Sequence, residues 1–292
     1  MKYAWIEKQL DAHSLSTLCR VLGVSRSGYH AWRVRAPSAR AQADEALSAK
    51  VTEHFHQGRG VCGTRRLKES LAEDGIVVSR RRIGRLMAEN ELAVQSQRKF
   101  KATTDSDHGQ AVAPNLLKRQ FDVATPDTVY VGDITYSWTD EGWLYLAVIL
   151  DLFSRAVVGW SMSRRLKADL ANRALQMALD RRQPPPGLIM HTDRGSQYVA
   201  DSYRQLLETH QICPSMSAKG ACWDNAVAES FFHSLKTECV YLQRFASRDQ
   251  ARDAIFDYIE VFYNRQRRHS TIGYQAPLVY ECRHAQESLC VD

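Results

Sequence analysis

A chain of 292 residues with 44% hydrophobic and 25% charged residues has the make-up of a soluble globular protein with room for two domains. No apolar run approaches the roughly 20 residues needed to span a bilayer, and the first eight residues lack a signal-peptide core, so a cytoplasmic protein is expected. The net charge of +6 is unevenly spread: residues 1–120 carry 21 Lys/Arg against 12 Asp/Glu, and residues 121–292 carry 18 against 21, which points to an anionic partner met first by the front of the chain.

In chain order, residues 14–33 predict two short helices about Gly23. Leu15, Leu18, Val21 and Leu22 make an apolar stripe, and Ser25 caps the second helix. This is helix-turn-helix grammar, with Arg26 at the head of the second helix as a candidate DNA contact. A helix over about 43–57 is broken by Gly60 and Gly63, after which Thr64 caps a helix with Leu67, Leu71 and Ala72 inward. Ser79 caps the next, whose apolar face is Ile83, Leu86 and Met87. Arg80, Arg81, Arg82 and Arg85 are then left largely for solvent or phosphate. Arginine in the first turn opposes the helix dipole, a cost that a phosphate partner would remove. Periodicity is lost over 94–127, which reads as a basic linker between a helical region (1–93) and a second domain (128–285).

Past the linker the composition turns strand-like. The segments 128–136, 143–151 and 156–161 are rich in β-branched and aromatic residues and joined by short turns, predicting an antiparallel meander. A helix over about 167–182, a strand at 187–190, a helix over about 201–210, a strand at 212–216 and a helix over about 221–241 follow. The order βββαβαβα is a ribonuclease H-like mixed sheet with helices on both faces, an α/β fold behind a small all-α region.

Three carboxylates stand out within this order. Asp133 lies inside the first strand between apolar neighbours, where a carboxylate is costly unless paired or metal-bound. Asp193 ends the fourth strand, which neighbours the first in this topology, so the two can converge. Glu229 comes 36 residues later on the last helix, and Lys236 lies two helical turns beyond it on the same face. Oxygen-only ligands suit hard cations such as Mg²⁺ or Mn²⁺, and two such ions serve in-line phosphoryl displacement. Other polar groups have blander readings. Asp151 forms a turn, Asp224 and Asn225 start a helix, and His191, His233, Tyr263, Asn264 and His269 pack. The seven scattered cysteines include no Cys-x-x-Cys, so reduced thiols are expected, and His54, His56 and Cys62 lack a fourth zinc ligand.

Several ordered motifs carry a family resemblance. They are Asp133-Ile134-Thr135-Tyr136, Asp151-Leu152-Phe153-Ser154-Arg155, the block from His191 to Tyr198, Asp224-Asn225-Ala226 through Glu229 to Lys236, and Tyr263-Asn264 with Arg268-His269-Ser270. With them, the segment from about 113 to 282 resembles the integrase-type catalytic core of bacterial insertion-sequence transposases, in particular the OrfB proteins of the insertion sequence 3 family. The 36-residue step from Asp193 to Glu229 matches that family's DDE spacing. Two positions depart from its pattern: Tyr130 stands where tryptophan is common and Cys62 where tyrosine is usual.

The resemblance implies a DDE transposase with Asp133, Asp193 and Glu229 as a triad holding two Mg²⁺ or Mn²⁺ ions and Lys236 as a DNA contact. It implies cleavage of DNA at element ends by water, then attack of the freed 3′-hydroxyl on a target phosphodiester. It also implies an upstream OrfA partner or fusion, a homo-oligomer on DNA, and a bacterial cytoplasmic protein associated with the nucleoid when DNA-bound. Two readings compete with it, a ribonuclease H-like nuclease without strand transfer and a non-catalytic DNA-binding regulator.

Overall fold

The computed structural model describes residues 2–94, 113–218 and 222–289. Six helices come first: α1 (Lys2–Gln9), α2 (Leu15–Leu22), α3 (Arg26–Val34), α4 (Ala39–Gln57), α5 (Thr64–Glu73) and α6 (Arg80–Glu89). Helices α2, α3, α4 and α6 begin behind a serine whose hydroxyl accepts a backbone N–H three residues on, from Thr17, Gly28, Ala41 and Arg82. Each such cap satisfies an orphan donor and contributes about 1 kcal/mol. Helix α5 differs from the expected start. Its N-cap is Gly63, with no side-chain cap bond, and Thr64 already lies inside the helix. Helices α1 to α3 enclose a small core of Ile6, Leu18, Cys19 and Tyr29. A second core of Leu47, Val51, Phe55, Leu67, Leu71, Ile83 and Leu86 joins α4, α5 and α6.

The second half is built on β1 (Val129–Thr139), β2 (Gly142–Asp151), β3 (Val157–Ser163), β4 (Ile189–Thr192) and β5 (Cys213–Met216), ordered β3-β2-β1-β4-β5. The meander β1-β2-β3 is antiparallel, while β4 and β5 add in parallel beside β1. This is the mixed sheet expected from the sequence. Side chains alternate across it. Leu144, Leu146, Val148 and Leu150 face one core, and Ala147 and Ile149 face the other. Helix α7 (Ala168–Arg182) lies on the second face close enough that a Cβ at Gly159 would stand 2.3 Å from the Ala174 carbonyl oxygen. Helices α8 (Ser196–Val199) and α9 (Asp201–Thr209) continue that layer.

The first face is covered by α10 (Ala226–Glu238), α11 (Arg248–Phe256) and a wide helical turn over Asp257–Tyr263. The single helix expected over about 221–241 is in fact three pieces, with 3-10 turns at Cys222–Asn225 and Val240–Leu242 around α10. Asn264 then pairs with β3 as a strand residue would. Its amide nitrogen donates to the Val157 carbonyl at 3.0 Å and its amide oxygen accepts the Val157 N–H at 2.9 Å. Helix α12 (Pro277–Leu289) closes the chain, with Glu281 bound to Arg182. Asp151 is buried at the β2–β3 turn, where the Ser154 hydroxyl donates to it.

Part of the expected linker is not free chain. Residues 95–112 lie outside the described residues, but 113–127 pack on the core, with Leu117 buried, Arg119 paired with Asp224, and the Leu116 N–H donating to the Ser215 hydroxyl. The helical module is also fastened to the sheet-bearing half. Arg66 pairs with Glu238 at 3.2 Å, Arg59 with Asp257, and Arg268 with Glu73. Among the described residues no helix is long and apolar enough to cross a membrane.

Candidate active site

Parallel pairing of β1 with β4 sets Val131 opposite His191. Two further steps along the same register bring Asp133 level with Asp193, just past the last paired residue of β4. Side chains two apart on a strand share a face, so Asp133 stands on the side of Val131, the side covered by α10. The start of α10 is held there by Asn225, whose amide nitrogen donates to the Gly132 carbonyl at 3.2 Å. Glu229, in the first turn of α10, is thereby brought to the end of the sheet that carries the two aspartates.

Backbone donors orient both aspartates. The Ile134 N–H donates to Asp133 Oδ1 at 2.7 Å, and the Gly195 N–H donates to Asp193 Oδ1 at 2.9 Å. A Cβ on Gly195 would lie 3.0 Å from that same Oδ1, so glycine permits the tight turn. Arg194 anchors the turn through Nε, which donates to the Ser217 carbonyl at 2.8 Å. Beneath it His191 is fully buried, with its ring nitrogens 2.8 Å and 3.2 Å from the hydroxyls of Ser215 and Ser217 on and beyond β5. Burial pushes its pKa down. It is a strut between β4 and β5, and His233 is exposed on α10.

The electrostatics are those of crowded acid. Burial pushes the Asp133 carboxyl well above the usual range; Asp193 and then Glu229 push it further, against the Ile134 N–H and Lys236. Glu229 is raised by burial. Lys236 is only 9% exposed, its ammonium lies 5.4 Å from the centre of the Tyr136 ring, and burial lowers its pKa while Asp133 opposes that. Tyr198 is buried under the aspartates, which raise its pKa after burial itself, and its hydroxyl has no hydrogen-bond partner among the described residues. Among the described residues no three His, Cys, Asp or Glu side chains form a ready-made metal cage. The donor chemistry nonetheless fits a hard divalent cation, because like charges held together here are relieved by a positive ion between them.

Two residues read only as helix starters do more. Asp224 is 3% exposed and accepts from Arg119 Nε at 2.7 Å, Asn115 Nδ2 at 3.0 Å and the Ala218 N–H at 3.0 Å, tying 115–119 to the head of α10. Asn225 makes the bond to β1 already described instead of a side-chain cap. Both sequence positions signalled a polar helix start, but apart from Ala218 their partners lie 93 to 109 residues away.

The basic residues of the helical module divide. Arg26 and Arg81 are exposed, and Arg80 is exposed with Nε 3.4 Å from the Thr64 hydroxyl. Arg82 and Arg85 are not left for solvent or phosphate as their sequence context suggests. Asp44 on α4 takes both, at 2.7 Å and 2.6 Å, and Glu89 takes Arg85 as well at 2.8 Å. Tyr130, at the first departure from the family pattern, is fully buried and donates to Asp127 at 2.5 Å.

Known proteins match most of the chain. A family model described as integrase core domain matches residues 124–222, a second of the same description matches 229–284, and one described as HTH-like domain matches 42–100. The insertion element IS600 uncharacterized 31 kDa protein of Shigella sonnei is 47% identical over 269 residues, 92% of this chain and 99% of that protein. Transposase InsF for insertion sequence IS3A of Escherichia coli (strain K12) is 45% identical over 283 residues, 96% of this chain and 98% of that protein. Among solved structures, the HTLV-2 integrase catalytic core domain in complex with magnesium (trimeric form) aligns with a TM-score of 0.42 at 17% identity, covering 53% of this chain and 97% of that one.

Proposed function

The chain belongs to the insertion sequence 3 family of transposases with an integrase core, and on that premise we propose that Asp133, Asp193 and Glu229 are its metal-binding catalytic triad. The observation that carries the reading is the continued β1–β4 register, which sets Asp133 and Asp193 side by side while Asn225 fastens α10 and Glu229 to the same strand. Two Mg²⁺ or Mn²⁺ ions, when bound, would supply activation of the attacking oxygen and charge neutralisation at the leaving oxygen. The chain itself holds and orients the three carboxylates, through the Ile134 and Gly195 N–H groups and through the anchored start of α10. Lys236 meets a DNA phosphate as a point charge. Because it is nearly buried and feels the Asp133 charge, that phosphate has to come close to the carboxylates to reach it.

The substrate is DNA, first the ends of the element and then a target duplex. Water cuts the first phosphodiester, and the 3′-hydroxyl so released attacks the second in one displacement. The helical region 1–93 holds DNA through exposed cations such as Arg26, Arg80 and Arg81, and the core 128–285 carries the chemistry. An upstream OrfA protein, as partner or fusion, and a homo-oligomer on DNA complete the working assembly in the bacterial cytoplasm. The test is cleavage of a labelled duplex carrying element ends by the full chain with Mg²⁺. Asp133→Ala, Asp193→Ala and Glu229→Ala each abolish cutting and leave DNA affinity within a few-fold of the parent. Full activity in any one of them removes that residue from the triad.

A further inference from the structure

We propose that the cleft between α5–α6 and the catalytic core is a channel for the phosphodiester backbone of DNA, read from the first turn of α5 and leading to the helix that carries Glu229. The proposal rests on the assignment of DNA as substrate and names where the strand lies. The cleft has a volume of about 790 Å³ and is lined by Arg65 and Arg66 of α5, Arg80 of α6, Arg155 of the β2–β3 turn, and Arg267 and Arg268 after the wide turn. One carboxylate, Glu238, shares the lining, and it is already engaged by Arg66 at 3.2 Å and by Arg267 at 2.6 Å. Arg268 is taken by Glu73. Among the described residues no carboxylate pairs with Arg65, Arg80 or Arg155.

Arg155 adds a guanidinium with unmet donors to this wall. Its Nη2 donates to the Phe121 carbonyl at 2.8 Å, but Nε and Nη1 are buried with no partner among the described residues. A buried guanidinium with two unmet donors is costly. Arg155 also has a φ of 65°, a left-handed conformation that favours Gly or Asn. The first turn of α5 adds to the field. It has no side-chain cap and no acidic residue, yet it presents Arg65 and Arg66 beside the positive end of the helix dipole. His269, on the cleft wall, registers the same potential. Burial and then Arg267, Arg66 and Arg155 push its pKa down to about 2, so it stays neutral and is seated 2.9 Å from Arg267 Nη1.

Size and position select the ligand. A single phosphate ion fills a small part of such a volume, whereas a run of linked phosphates suits both the volume and the spread of cations. The wall along α10 is formed by Ala226, Ser230 and Ser234, and Ser230 directly follows Glu229. A strand in the cleft therefore runs along the helix that carries Glu229, on a face about 100° round from that carboxylate, with Arg80 at the α6 side of the same space.

The experiment measures duplex binding by the full chain without divalent metal, from 50 to 200 mM salt, by fluorescence anisotropy. Arg65→Gln with Arg80→Gln alters two arginines that pair with no carboxylate among the described residues, and a thermal melt checks that the fold survives. The slope of log affinity against log salt falls by about 2 in this double variant, so the affinity lost across that range shrinks roughly tenfold. Arg244→Gln, which removes an exposed cation paired with Asp140 away from the cleft, leaves the slope unchanged. Phenylglyoxal labelling read by mass spectrometry should find Arg65 and Arg80 shielded by duplex.

An unchanged slope in the folded double variant overturns the proposal, and Mg²⁺-dependent cutting by the parent would then still support the triad. Shielding by inorganic phosphate with none by duplex would mean a small-anion site and also overturns it. A parent with no salt-dependent affinity for duplex overturns both the channel and the DNA substrate.

Discussion

Asp224→Asn isolates how the triad helix is set in place. The aspartate carboxylate receives Asn115 Nδ2 and the Ala218 N–H on Oδ2 and Arg119 Nε on Oδ1. An asparagine can keep its oxygen toward the first two, but its amide group then faces the Arg119 guanidinium, donor against donor. Breaking a buried ion pair costs about 3–5 kcal/mol. Here the arginine side chain is 55% exposed and can turn to water, which reduces the expected loss to about 1–2 kcal/mol. For a domain of this size that is a fall of about 3–6 °C in melting temperature.

The pH dependence has a definite sign. Arg119 beside Asp224, helped by the Ala218 N–H, holds the carboxyl below the usual carboxylate range. Its stabilisation is therefore complete above the unfolded value of about 4 and is lost as pH falls through the lower folded value. Thermal melts followed by circular dichroism should show the full gap between parent and variant at pH 7, narrowing below about pH 4. Equal stability at pH 7, or a gap that ignores pH, refutes the assigned role. Cleavage should fall with stability, because 115–119 no longer steadies the head of α10.

Two other substitutions probe the sheet. Asp133→Asn keeps an acceptor for the Ile134 N–H and removes one of two facing negative charges, so the metal-free protein melts a few degrees higher while the rise in melting temperature on adding Mg²⁺ shrinks or disappears. A lower metal-free melting temperature would contradict the like-charge account. Gly159→Ala drives a methyl to 2.3 Å from the Ala174 carbonyl oxygen and 2.7 Å from the Ala178 amide nitrogen, both main-chain atoms of α7. The helix has to move away, at about 1–3 kcal/mol or more, and soluble yield with a normal melting point would show that α7 sits farther from β3 than described.

The parts of this protein that were legible in its sequence are those governed by local pattern. The long apolar segments with short turns marked β1 to β3, and the cost of a carboxylate inside β1 marked Asp133. Serines ahead of apolar stripes marked the starts of α3 and α6. What escaped depends on partners far along the chain. Arg82 and Arg85 read as free cations because Asp44, about forty residues away, gives no local sign of folding back on them. Asp224 and Asn225 read as helix starters for the same reason, and Arg155 read as one member of a turn motif because its contact, the Phe121 carbonyl, lies 34 residues earlier in the chain. The division of the last long helix into three pieces also has a tertiary cause. The head of α10 follows its ties to β1 and to 115–119, and not the helical period of its own residues.

The central claim is that Asp133, Asp193 and Glu229 act together on DNA phosphodiesters. The most direct measurement supplies a labelled element end that already has a free 3′-hydroxyl, a supercoiled plasmid as target, and Mg²⁺. The full-length parent should join the label to the plasmid, and Asp193→Asn, which preserves the size of the side chain beside Asp133, should bind the end and join nothing. Joining by the Asp193→Asn protein at the parental rate would contradict the account.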